Sequence, residues 1–193
     1  MTYASVARVE DEERLENVTF GMWLFIGSEV MFFTAFFAMY IIMRNAHPEL
    51  AHPHMLNVKI ASINTFLLVI SSLFMANAVN ASKEGDGQGT SKNLVITALF
   101  GATFLGLKAV EYAGEIKENL LPSTNIFYSC YYTMTGFHGL HILIGVAVLL
   151  VLAWRAKRGD FTRTYNSPIE VCGLYWCLVE AVWFFLFPVL YLV

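Results

Sequence analysis

Five long apolar blocks dominate this chain, running approximately over 18–43, 58–81, 93–113, 126–153 and 169–193. At about 1.5 Å of helical rise per residue, each block is long enough to cross a hydrocarbon core about 30 Å thick. Composition agrees: 57% of the 193 residues are hydrophobic and 14% charged, against about 25% charged in soluble domains. The apolar residues fall in blocks rather than at the spacing of half-buried helices or strands. The predicted fold class is therefore all-α, a polytopic membrane bundle of five transmembrane helices over 18–193, preceded by a polar amino-terminal segment at 1–17.

Several function classes drop out on composition. A net charge of −3, with no basic patch interleaved with aromatics, excludes a nucleic-acid partner. Cys130, Cys172 and Cys177 lie in or beside apolar blocks, so they read as buried thiols rather than a disulfide framework or a thiolate metal site. Residues 1–17 have no apolar core with a cleavage site and are too acidic for a transit peptide, so the first helix is expected to act as its own insertion signal. Lys and Arg divide unevenly. Arg8, Arg14, Lys83, Lys92, Arg155, Lys157, Arg158 and Arg163 share the amino-terminal side, against Arg44, Lys59, Lys108 and Lys117 opposite. The amino terminus is expected to be cytoplasmic.

The connections carry helix signals. Ser91 is a predicted cap for the third helix, and Ser167-Pro168-Ile169-Glu170 reads as a capping box opening the fifth. Pro188 is expected to bend or fray the last helix. His47, His52 and His54 cluster in the first connection.

Within the spans, Glu29 stands near the middle of the first apolar block, in the stretch Gly21-Met22-Trp23-Leu24-Phe25-Ile26-Gly27-Ser28-Glu29-Val30-Met31-Phe32-Phe33. A carboxylate there costs about 2.5–3.5 kcal/mol on insertion scales and normally faces other helices or a wet cavity. It reads either as a protonatable site or as a polar anchor bonded to a neighbouring side chain. His138 and His141 lie at i and i+3 on the fourth helix. With no third intramembrane histidine they point to a hydrogen-bonded pair contacting a carboxylate or a lipid phosphate, not to a metal or haem site. Gly136, Gly139 and Gly145 suggest a close helix approach.

Lys108 with Glu111, next to Tyr112, reads as a snorkelling helix end. Glu180 is a second deep carboxylate, on one helical face with Trp176, Val179 and Trp183. Asn64, Thr65, Ser71, Ser72, Asn77 and Asn80 on the second helix suit interhelical hydrogen bonds worth about 0.6 kcal/mol each. No nucleophile–base pair, phosphate loop or thiolate cluster is present, so the residues alone stop at a five-span membrane protein with two buried carboxylates and a histidine face. An independent proton-coupled transporter using Glu29 and Glu180, or a b-type cytochrome, would be rival readings. The lack of an internal repeat weighs against the former.

Four stretches together resemble the cytochrome c oxidase subunit III family of the haem–copper terminal oxidases. They are GMWLFIGSEVMFF at 21–33, NTFLLVISS at 64–72, TGFHGLHILIG at 135–145 and YWCLVEAVWFFLF at 175–187, and 104–112 fits more loosely. The resemblance implies a noncatalytic accessory subunit without redox cofactors or metal of its own. It would bind a large catalytic subunit holding haems and copper, and phospholipid in a V-shaped cleft. The complex would reduce oxygen to water and pump protons in a bacterial plasma membrane, with cytochrome c as donor; the alternatives are a quinol oxidase or a nitric oxide reductase homologue.

By the same resemblance Glu29 takes the place of the family's carbodiimide-reactive glutamate. Trp23, His138, His141, Glu111, Tyr112, Trp176 and Glu180 become lipid-cleft or structural polar candidates. The chain looks like the shorter five-helix bacterial form. It departs from the pattern at Lys108, where the family has glutamine, and at Cys177 and Glu180, where YWHFVD is common.

Overall fold

The computed structural model describes residues 3–47, 58–123, 125–161 and 166–192, with side chains described from 17 to 191 of these. His52, His54 and Arg163 lie outside the described residues. Lipid offers backbone groups no partners, so a spanning segment must satisfy them internally, as a helix does. Accordingly the apolar blocks form α1 (Tyr3–Ala46), α2 (Val58–Glu84), α3 (Gly87–Lys117), α4 (Ile126–Lys157) and α5 (Ser167–Phe187), followed by a π-helical turn at Pro188–Leu192. All five helices are long and apolar enough to cross a membrane, and no strand occurs among the described residues.

The turn between α2 and α3 is tight. Gly85, with φ of 78°, takes the left-handed conformation that glycine adopts without steric cost. The Asp86 N–H then donates back to the Ala81 carbonyl at 3.0 Å. The Asp86 side chain accepts from the N–H groups of Gln88 and Gly89 at 3.1 and 2.9 Å, so Asp86, not the predicted Ser91, caps α3. Ser91 instead donates to the Ala153 carbonyl of α4 at 2.8 Å. The expected box at α5 is also absent. Asn166 is the cap residue and makes no side-chain cap bond, and Glu170 pairs with Lys83 of α2 at 3.1 Å. Pro188 ends α5, since it lacks the N–H that would continue the ladder, and the chain widens into the π-helical turn.

α2 packs against α3 and α5, α4 against α3 and α5, and α1 lies against α4 and α5. Only 11% of α1's most apolar stretch is buried, against 44% for α5, so α5 is the central helix and α1 the peripheral one. Trp176 of α5 is seated where α3 and α4 carry glycine. A Cβ at Gly101 would stand 2.7 Å from the ring, and one at Gly145 2.9 Å. Gly145 thus serves the close approach expected of it, whereas Gly136 has nothing within 4 Å of a Cβ and Gly139 only Leu105 at 3.8 Å.

Candidate functional site

The site begins with Glu29 on α1. His141 Nε2 of α4 lies 3.1 Å from Glu29 Oε2, and both side chains are largely shielded. This is ion-pair distance, though without the alignment of a hydrogen bond. His141 Nδ1 is 2.8 Å from the Phe137 carbonyl oxygen. A carbonyl can only accept, so Nδ1 carries the hydrogen and Nε2 is the nitrogen presented to the carboxyl. The contact gives an intramembrane carboxyl a polar neighbour on another helix, which such a group needs in place of water.

Neighbouring groups hold this pair in register. Tyr175 of α5 donates to the His141 backbone carbonyl at 2.8 Å, Phe25 stacks on Tyr175 at 6.1 Å, and Phe33 stands edge-on to the His141 ring at 5.6 Å. Trp23, one helical stretch earlier, is 57% exposed on the outer face of α1 and takes no part.

His138 does not join His141. It is 1% exposed, stacked on Trp183 at 5.4 Å and edge-on to Phe104 at 5.7 Å. The two histidines serve different interfaces, one inside the bundle and one toward α1. Among the described residues, no group of three or more His, Cys, Asp or Glu is placed to hold a metal ion.

Lys108 corrects the snorkelling expectation. It is 6% exposed, and its three hydrogens have three acceptors: Glu111 Oε2 at 3.1 Å, the Tyr131 hydroxyl at 3.1 Å and the Tyr191 hydroxyl at 2.6 Å. Tyr191 in turn donates to Glu111 Oε1 at 2.7 Å. The rings of Tyr112, Tyr131, Trp183 and Tyr191 surround the ammonium at 5.0–5.4 Å. A buried ion pair is tolerable only when its remaining donors and acceptors are met in this way. Tyr112 itself bonds the Thr135 hydroxyl of α4 at 2.5 Å. Tyr131 and Tyr191 escaped sequence reasoning, because tyrosines near span ends read as headgroup anchors.

Glu180 is buried alongside Trp176, Val179 and Trp183, the residues expected to share its face, and it meets α2. Ser71 joins it to Trp176: the Ser71 hydroxyl is 2.8 Å from Glu180 Oε1 and accepts from Trp176 Nε1 at 3.0 Å. Thr65 accepts from Trp183 Nε1 at 2.9 Å. Of the polar residues expected to join helices, Ser71 and Thr65 do so through two indoles of α5, whereas Ser72 bonds back within α2 and the buried Asn64 amide has no hydrogen-bond partner.

The family model described as cytochrome c oxidase subunit III matches residues 12–193. Cytochrome c oxidase subunit 3 of Thermostichus vulcanus is 35% identical over 89% of this chain and 85% of its own length. A probable cytochrome c oxidase subunit 3 of Nocardia farcinica is 35% identical over 98% and 95%. Quinol oxidase subunit 3 of Bacillus subtilis is 32% identical over 89% and 85%.

Proposed function

Since this chain belongs to the cytochrome c oxidase subunit III family, we propose that it is the noncatalytic accessory subunit of a proton-pumping respiratory oxidase that reduces oxygen to water. It binds the large catalytic subunit, stabilises it and supports proton uptake at its surface, in a bacterial plasma membrane with the amino terminus cytoplasmic. Haems and copper belong to the partner subunits. His138 is buried against Trp183 and Phe104 and His141 stands against Glu29 and Phe137, so the two rings face different interfaces.

The observation that carries the reading is the meeting of Glu29 and His141. The carboxyl and histidine of two separate family motifs come together between α1 and α4 inside the membrane. Such a pair tunes a local environment, and it provides no redox chemistry. Phospholipid bound against the exposed apolar faces completes the proposed role. Relatives bear both cytochrome c oxidase and quinol oxidase names, and cytochrome c is the proposed donor, with quinol the second reading.

The test is purification in mild detergent through a tag on this chain. Haem-bearing subunits and a reduced-minus-oxidised haem spectrum should accompany it, with oxygen consumption on reduced cytochrome c exceeding that on quinol. A chain that purifies alone and transports protons in liposomes would refute the proposal.

A further inference from the structure

Exposed hydroxyls within the spans bond back onto their own helices. Ser28, Thr34, Ser62, Thr103 and Thr133 each donate to a backbone carbonyl three or four residues earlier. A primary amide carries two N–H donors and an acceptor, more than one turn of its own helix can serve. Asn77 and Asn80 of α2 are exposed and Asn93 of α3 is half-buried, and their side chains hydrogen-bond to no described residue.

The three amides share one seam. Phe74 of α2 stacks on Phe100 of α3 at 5.8 Å, and a Cβ at Gly89 would stand 3.6 Å from that of Ala81. Asn77 lies between Phe74 and Ala81, about one turn from each, and Asn93 lies one turn beyond Gly89. The helical period therefore sets both along the α2–α3 contact. Asn80 follows Asn77 by about one turn, on the outer side where Phe66 and Leu73 are exposed. With 27 residues, α2 is about 40 Å long and overhangs a core about 30 Å thick by about 5 Å at each end. Asn77 stands about 10 Å from the end at Glu84, inside the hydrocarbon. Acyl chains offer it neither donor nor acceptor, and an amide left without them is costly. A second helix supplies both through polar side chains.

We infer that the α2–α3 seam docks a transmembrane helix of another subunit of the complex, one that presents hydrogen-bonding side chains to Asn77, Asn80 and Asn93 and apolar ones to Phe66 and Leu73. The inference rests on the proposed function, in which this chain is one subunit of an oxidase, and names the surface that meets a partner.

The test uses the complex purified through this chain, with a photocrosslinking amino acid in place of Leu73. Illumination should join α2 to another subunit, identified by mass spectrometry. Asn77→Leu, Asn80→Leu and Asn93→Leu combined keep the face apolar and should remove most of that crosslink, whereas glutamine at the same three positions should retain it. Crosslinks from Leu73 only to lipid or to a second copy of this chain, or an undiminished crosslink in the leucine variant, would overturn the inference. The haem spectrum of the same preparation separates the two readings. A preparation without haem defeats the oxidase assignment, and haem present with no subunit crosslinked at Leu73 defeats the docking surface alone.

Discussion

Tyr191, at the carboxyl-terminal π-helical turn, reaches back to the buried Lys108 of α3, and its hydroxyl lies 2.6 Å from the ammonium. The same hydroxyl donates to Glu111, so one tyrosine bonds both members of an ion pair and fastens the end of the chain to α3. Tyr131 brings α4 into the same junction.

Lys108→Met is expected to cost about 3–5 kcal/mol, because it strands the buried Glu111 carboxylate. The double replacement Lys108→Gln with Glu111→Gln removes both charges and should recover much of that loss. Thermal unfolding of the detergent-solubilised protein distinguishes these outcomes. A double variant no better than the single one would show that the packing around the ammonium, not the charge, matters.

Glu29→Gln should abolish labelling by a hydrophobic carbodiimide, which activates protonated carboxyl groups. His141→Phe removes the imidazole that stands against the carboxyl, so labelling of Glu29 should increase. Mass spectrometry of the α1 peptide reads both. Unchanged labelling in the histidine variant would mean that His141 does not protect the carboxyl.

Ser71→Ala deprives both Trp176 Nε1 and Glu180 Oε1 of their partner. Each buried orphan costs about 1–3 kcal/mol, so this small substitution should destabilise more than Ser72→Ala, whose hydroxyl bonds only back to the Val69 carbonyl within α2. Comparing the two melting temperatures settles it.

Gly145→Ala pushes a methyl group into the Trp176 ring and should destabilise by about 1–3 kcal/mol. Gly136→Ala on the same helix meets nothing within 4 Å, and should be neutral or stabilise by about 0.5–1 kcal/mol through helix propensity. Equal effects at both positions would contradict the packing described for α5.

Much of the site could be read locally. Glu29 and Glu180 announce themselves because a carboxylate in an apolar run is costly wherever it falls, and the helical period placed Glu180 with Trp176 and Trp183 on one face. The same period misled for the histidines. A shared face spans a wide arc, and His138 and His141 lie on its two edges, toward Trp183 and toward α1. Lys108 misled for a different reason. A lysine near a span end usually snorkels, and nothing within its own helix signals that Tyr131 and Tyr191 converge on it.

The sequence by itself determined the five helices, their order and the family, because hydrophobic run length and motif strings are properties of contiguous residues. Which side chains meet was decided by tertiary structure alone. The partner of Glu29 is on α4, those of Lys108 beyond its own helix lie on α4 and in the π-helical turn, and that of Glu180 is on α2. Within the membrane each of these polar groups lacks water, so it depends on whichever helix the packing brings alongside. The glycines at 101 and 145 show how that choice is made, since they let Trp176 sit between α3 and α4 and so set where α5 lies against its neighbours.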